Sequence, residues 1–183
     1  MNKAAIYNWL IVAYSEPITN LMETFYYDRR DREFYSIHIA DFLLVTDDLT
    51  RDESVRASYA DDTTALIADR ISRREQNDPE IVMIPALELG KRKAIMEEFI
   101  SGIKDEKLFN LLQQRVKNQD GSQRFCFYFG TEATDELKDQ WEKWKHTRLI
   151  TIIDQFMVDN NIDLESSRVW DIGNSSWIEM DLT

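Results

Sequence analysis

Between Ala4 and Tyr14 apolar residues fall at Ile6, Trp9, Leu10 and Ala13, which line one face of a helix. Ser15-Glu16-Pro17 predicts its end, because proline disfavours helical dihedrals in the residue before it. Leu21–Tyr27 and Glu33–Ile39 are instead rich in aromatic and β-branched residues, which predicts two strands joined as a hairpin around Asp28-Arg29-Arg30-Asp31. That tip lacks glycine, so its geometry is less marked than an Asn-Gly turn would be. Glu80–Pro85 is a compact apolar run closed by a residue that cannot donate to a ladder, and it predicts a third strand. A hairpin alone is marginal in water, so this strand is expected to pair with it.

The stretch from Asp41 to Asp78 has weaker periodicity. Thr50 with Glu53 forms a capping box, and a second helix start at Thr63 or Thr64 leads into Leu66, Ile67 and Ile71. Arg70, Arg73 and Arg74 then suit the negative end of a helix dipole, so one broken helix or two short ones are expected. From Lys91 to Asn160 the spacing turns helical and builds the core. Ile95, Met96, Phe99, Ile100 and Ile103 mark one helix, ended by Gly102, and Asp105 caps the next, striped with Leu108, Leu111, Leu112 and Val116. Thr134-Asp135-Glu136 opens the longest helix, running to about Asp159 through Leu137, Trp141, Trp144, Leu149, Ile153 and Met157. Between these helices, Arg124–Phe129 has strand propensity. Beyond Leu164, Arg168–Ile172 and Trp177–Met180 flank Gly173-Asn174-Ser175-Ser176, a terminal hairpin or an extended arm anchored by two tryptophans.

These elements predict an α+β fold, a small antiparallel β-sheet from the N-terminal half packed on a C-terminal helical bundle. Residues 1–164 are expected to form a single domain, with 165–183 as a C-terminal arm or hairpin. The 183 residues suffice for one domain with a true core, and five Trp, seven Tyr and nine Phe exclude a disordered chain. No signal peptide is expected, no window approaches the ~20 apolar residues of a membrane span, and the single Cys126 makes no internal disulfide. A soluble, reducing, cytoplasmic setting follows.

Charge is the skewed quantity, with 34 acidic against 22 basic residues and a formal net charge of −12. Met1–Gly90 carries −8, Lys91–Leu149 carries +2 and Ile150–Thr183 carries −6, so the excess lies on the flanks. A negative envelope repels phosphate backbones and anionic membranes, which argues against nucleic acid and membrane as partners and for a basic protein.

Several segments together resemble a bacterial family of uncharacterised proteins, UPF (family 0158). They are the strand ending Ile84-Pro85, the helix with Met96-Glu97-Glu98-Phe99-Ile100, Gly121 to Tyr128, Trp141-Glu142-Lys143-Trp144, Asn161-Ile162-Asp163-Leu164 and the hairpin entry Tyr26-Tyr27-Asp28. The resemblance runs to Leu164, with the acidic Asp41–Asp78 stretch looking like an expanded loop. Where the family carries two basic residues between aromatic ones, this chain has Cys126 and Phe127 between Phe125 and Tyr128. The resemblance implies that Phe125 and Tyr128 are helical partners at i,i+3, against their strand propensity. It implies no catalytic residues.

Candidate chemistry is sparse. Trp141 and Trp144 beside Lys143, Lys145, His146 and Arg148 suggest base stacking with a basic rim, but an amphipathic helix burying its indoles accounts for the same pattern. Neither His38 nor His146 has local partners at metal-ligand spacing, Asp47-Asp48 and Asp61-Asp62 lack the rhythm of a calcium loop, and no metal or cofactor is expected. Glu97 and Glu98, adjacent on a helix, point about 100° apart and share no site. Cys126 among aromatic residues reads as a buried small hydrophobe. The function expected is therefore that of a non-enzymatic protein–protein interaction module with an acidic surface. Trp170, Asp171, Trp177 and Glu179 are the candidate partner-binding residues, and oligomeric state is not indicated. The alternative is an enzyme of unknown class with a dispersed active site in the sheet–helix cleft, drawing on His38, Glu98 and Arg124.

Overall fold

The computed structural model describes residues 3–20, 22–39 and 62–170, apart from the side chains of 62–64. The Thr50–Glu53 helix start and the second half of the terminal hairpin lie outside the described residues. The fold is α+β, and the chain divides into two compact units. Unit 1 comprises Met1, Leu21–Ile84 and Asp163–Thr183, and unit 2 comprises Asn2–Asn20 and Pro85–Ile162, where the sequence suggested one domain over 1–164 and an arm after it.

Among the described residues, unit 1 is a four-stranded sheet with a helix of fourteen residues on it. Strands β1 (Glu23–Asp28) and β2 (Glu33–His38) form the expected hairpin, registered from Glu23 opposite His38 to Asp28 opposite Glu33. Its glycine-free turn closes with Arg32 at φ 54°, a left-handed conformation uncommon outside glycine. Helix α2 (Asp62–Glu75) follows, and β3 (Ile81–Ile84) then pairs antiparallel with β1, as the third strand was expected to do. The sheet departs from expectation at its other edge. A short strand β4 (Arg168–Val169) from the C-terminal end pairs in parallel with β2, so the order is β3-β1-β2-β4 and the sheet is mixed rather than antiparallel. The backbone amides of Arg168 and Trp170 donate to Arg32 and Phe34 at 3.0 and 2.7 Å, filling acceptors that the β2 edge would otherwise leave open. Two residues are too few to carry a period, so sequence pattern gave neither the partner nor the direction.

Helix α2 presents Ile67 and Ile71, one turn apart, to Tyr26, Tyr35 and Ile37 of the sheet, and the Tyr26 and Tyr35 rings stack at 5.5 Å. Ser167 and the Tyr27 hydroxyl share a buried hydrogen bond of 3.0 Å that anchors the approach to β4.

Unit 2 is helical, with α1 (Lys3–Ser15), α3 (Leu89–Ile100), α4 (Glu106–Asn118) and α5 (Asp135–Asp159). Both predicted caps form, Asp105 accepting from the Leu108 amide at 2.9 Å and Thr134 from the Leu137 amide at 3.3 Å. No described helix is long and apolar enough to cross a membrane. A helix end leaves carbonyls without intrahelical partners, and at the end of α1 these are met by Arg92. Its buried guanidinium donates to Tyr14 and Glu16 carbonyls, to Leu87 at 2.5 Å and to Gln123 at 3.0 Å, so one side chain joins α1, α3 and the segment after α4. Burial without a carboxylate bonded to it holds the Arg92 pKa below the ordinary arginine range.

That segment, 121–129, is neither the helix implied by the family resemblance nor a paired strand. Phe125, Phe127 and Phe129 are buried while Arg124, Cys126 and Tyr128 are exposed, Tyr128 at 82%, so the backbone runs extended with period two. Three rings at i, i+2 and i+4 share one side only in extended backbone. Side chains bind its carbonyls in place of a ladder, Gln119 on Arg124 at 3.1 Å and Arg115 on Tyr128. Cys126 is exposed, contrary to expectation, because the same alternation turns it outward.

The inward rings converge on Trp141, which is 1% exposed and meets Phe99, Phe125 and Phe127 edge-on at 5.3, 5.7 and 4.6 Å. Trp141→Ala removes the centre of that cluster and is expected to cost about 3–5 kcal/mol, read from the shift of the urea midpoint at unchanged slope. The α1–α5 contact includes a Tyr7 hydroxyl that donates to Asp154 at 2.5 Å, and this bond, with burial, raises the Tyr7 pKa from 10.0 to about 12. The folded chain therefore keeps a proton that the unfolded chain loses above about pH 10, so this contribution is complete below pH 10 and declines as pH rises towards 12. Urea denaturation across this range is expected to show a smaller alkaline loss in Tyr7→Phe than in the natural chain.

Candidate functional site

The β1–β2 register sets Asp28 directly opposite Glu33, two like charges on the sheet face towards α2. Such a pair is unfavourable unless cations bridge it. Helix α2 supplies them from Arg70 and Arg73. Arg73 grips both Asp28 oxygens at 2.5 and 3.2 Å and donates through Nε to Asp78 at 2.6 Å. Burial opposes the Arg73 charge, but these hydrogen bonds outweigh it and keep the pKa above the ordinary arginine value. Asp78 is held below the usual carboxylate range by the Glu80 amide and then by Arg73.

Arg70 has no exposed surface. Its Nη2 lies 2.6 Å from Glu33 and 3.4 Å from Asp31, its Nε 3.7 Å from Asp28, and its guanidinium sits 4.2 Å from the Tyr35 ring and 5.0 Å from the Trp170 ring. Burial raises the Tyr35 pKa. Glu33 gives its second oxygen to Arg168 of β4. The dipole reading of the α2 arginines therefore missed their main role, as bridges between carboxylates that only strand pairing brings together. The sequence signal available was an acid on either side of the hairpin turn and arginines three apart on the following helix.

Beside this network opens a cleft of about 540 Å³ lined by Asp31, Glu33, Leu66, Arg168, Val169 and Trp170. Trp170, one of the predicted partner-binding residues, is half-buried at its wall. Asp171, Trp177 and Glu179 lie outside the described residues. A second cleft of about 410 Å³ in unit 2 lies at the starts of α4 and α5, where Lys104, Asp105 and Glu136 are the charged residues of the lining.

Of the remaining candidates, Trp144 packs against Phe99 and beneath Arg148, which pairs with Glu98, while Arg124 pairs with Glu16 at 2.7 Å. His38 belongs to unit 1, Glu98 and Arg124 to unit 2. Among the described residues no group of three or more His, Cys, Asp or Glu side chains is arranged to hold a metal ion. Comparison with family models, curated proteins and solved structures yields no match.

The network predicts its own fragility. Asp28→Ala leaves Arg70 and Arg73 buried without their shared carboxylate, at an expected cost of about 3–5 kcal/mol in urea denaturation, whereas an exposed acid such as Asp139→Ala is expected to change stability by less than about 0.5 kcal/mol.

Proposed function

We propose that the protein is a non-enzymatic interaction module whose acidic unit docks a basic protein partner. The supporting observation is the partition of charge: unit 1 holds 20 of the 34 acidic residues and 9 of the 22 basic ones, a formal −11, leaving −1 for unit 2. Sequence places the acidic excess on two separated flanks, and the fold assigns both flanks mainly to one unit. A field of one sign accelerates encounter with a partner of the opposite sign, and a half-buried indole beside a cleft is the kind of anchor that adds affinity. A reducing, cytoplasmic setting belongs to this proposal, as does kinship with the UPF family, from which no activity is carried over.

The test compares proteins recovered from a cell lysate by the full chain and by a chain ending at Trp170, which retains β4 and its bonds to β2. The full chain is expected to recover basic proteins that are released as salt rises, and the shorter chain, lacking Asp171, Glu179, Asp181 and Trp177, to recover less of them. Recovery of no basic protein by the full chain, or recovery that does not fall as salt rises, overturns the proposal, while equal recovery by both chains removes only the residues after Trp170 from the docking surface.

A further inference from the structure

Strand β4 is the shortest element of the described sheet. Its two residues reach the β2 edge from the far end of the chain, with the Arg168 amide on the Arg32 carbonyl and the Trp170 amide on that of Phe34. All six residues of β2 are registered against β1, so the hairpin has a complete ladder without β4.

In extended backbone Arg168 and Trp170 share one side and Val169 takes the other. Arg168 pairs with Glu33 while remaining 61% exposed, and the half-buried Trp170 ring lies 5.0 Å from the Arg70 guanidinium. The groups beneath are not satisfied by this arrangement. Arg70 Nε and Nη1 and the Tyr35 hydroxyl are buried without a hydrogen bond among the described residues. Buried donors left unmet are unfavourable, and the Trp170 ring is part of their cover. Release of β4 therefore returns these groups to water, which offsets part of what the bonds of the strand contribute.

We infer that the β2 edge at Arg32 and Phe34 is a strand-docking site which β4 fills in cis, and that an extended segment of the basic partner displaces β4 and takes its place. The segment runs parallel to β2, with an arginine facing Glu33 and an aromatic residue two positions on over Arg70. β4 itself shows what fits: main-chain bonds hold an added strand, and alternate side chains select it. The partner's arginine is exchanged for Arg168 at Glu33 and not added to it, so the charge balance of the network is kept. The inference rests on the proposed function and names where the partner docks.

The probe is a peptide with the chain's own residues 165–170, capped at both ends. Its one acid and one base cancel, so its binding reports the strand and not the field of unit 1. It is added to millimolar concentration to isotope-labelled full chain, and the backbone amide shifts of residues 32–36 are followed by nuclear magnetic resonance. Apparent affinity scales with the fraction of chains whose edge is vacant, so weakening β4 tightens binding. Arg168→Ala in the chain is expected to bind the peptide about threefold tighter than the natural chain, and Arg168→Ala with Trp170→Ala about tenfold tighter or more. A peptide methylated on the amide nitrogens of its arginine and tryptophan is expected to bind neither chain. Circular dichroism and urea midpoints establish that the variants are folded, and Arg168→Ala, at an exposed side chain, decides the matter if the double variant does not fold. Absence of shifts at residues 32–36 in every chain, equal affinity for the natural chain and the folded variants, or undiminished binding of the methylated peptide overturns the inference. Any of these leaves the basic-partner proposal standing, because the salt dependence of recovery from lysate judges it separately.

Discussion

A guanidinium taken out of water must be met by opposite charge or by acceptors, and this requirement organises each unit of the protein, although Arg70 leaves Nε and Nη1 without a hydrogen bond. In unit 1 the opposed Asp28 and Glu33 would repel one another at the end of the hairpin, and Arg70 and Arg73 turn that conflict into an attachment for α2. Register, helix position and the parallel docking of β4 all depend on it, since Arg168 completes Glu33 and Trp170 covers Arg70. In unit 2 the acceptors are carbonyls. Arg92 gathers the end of α1, the entry to α3 and the start of the extended segment around one buried charge, a role in which lysine lacks the fork needed to reach them together.

The two solutions differ in what they leave for function. Arg92 is spent on backbone, deep in the unit. The unit 1 network lies under an open cleft, where Asp31 remains half-exposed and Trp170 has polar neighbours. Buried ion pairs contribute little net stability relative to apolar packing of the same volume, because desolvation cancels much of the attraction. Their value here is geometric: they fix where β4 lies and which carboxylate faces solvent.

Sequence periodicity was sufficient for the helices and the first three strands. The α4 and α5 caps, the end of α1 before Pro17 and the hairpin from Tyr26 to Tyr35 all rest on local preferences that tertiary contacts reinforce. The segment from Arg124 to Phe129 shows where local preference was half right. Its strand propensity matched the extended backbone, but no strand among the described residues pairs with it, and the inward phenylalanines answered to Trp141 and Phe99 instead.

What the sequence by itself determined is composition and period: an α+β chain with an acidic excess, a Trp141-centred helical core and arginines near the end of α2. Tertiary structure alone decided the parallel placement of β4, the pairing of those arginines with Asp28 and Glu33, and the cleft at Trp170. The physical reason is range. Periodicity and capping act within a few residues along the chain, whereas Glu33 and Arg168 are separated by most of its length, and only folding sets the distance over which their charges meet.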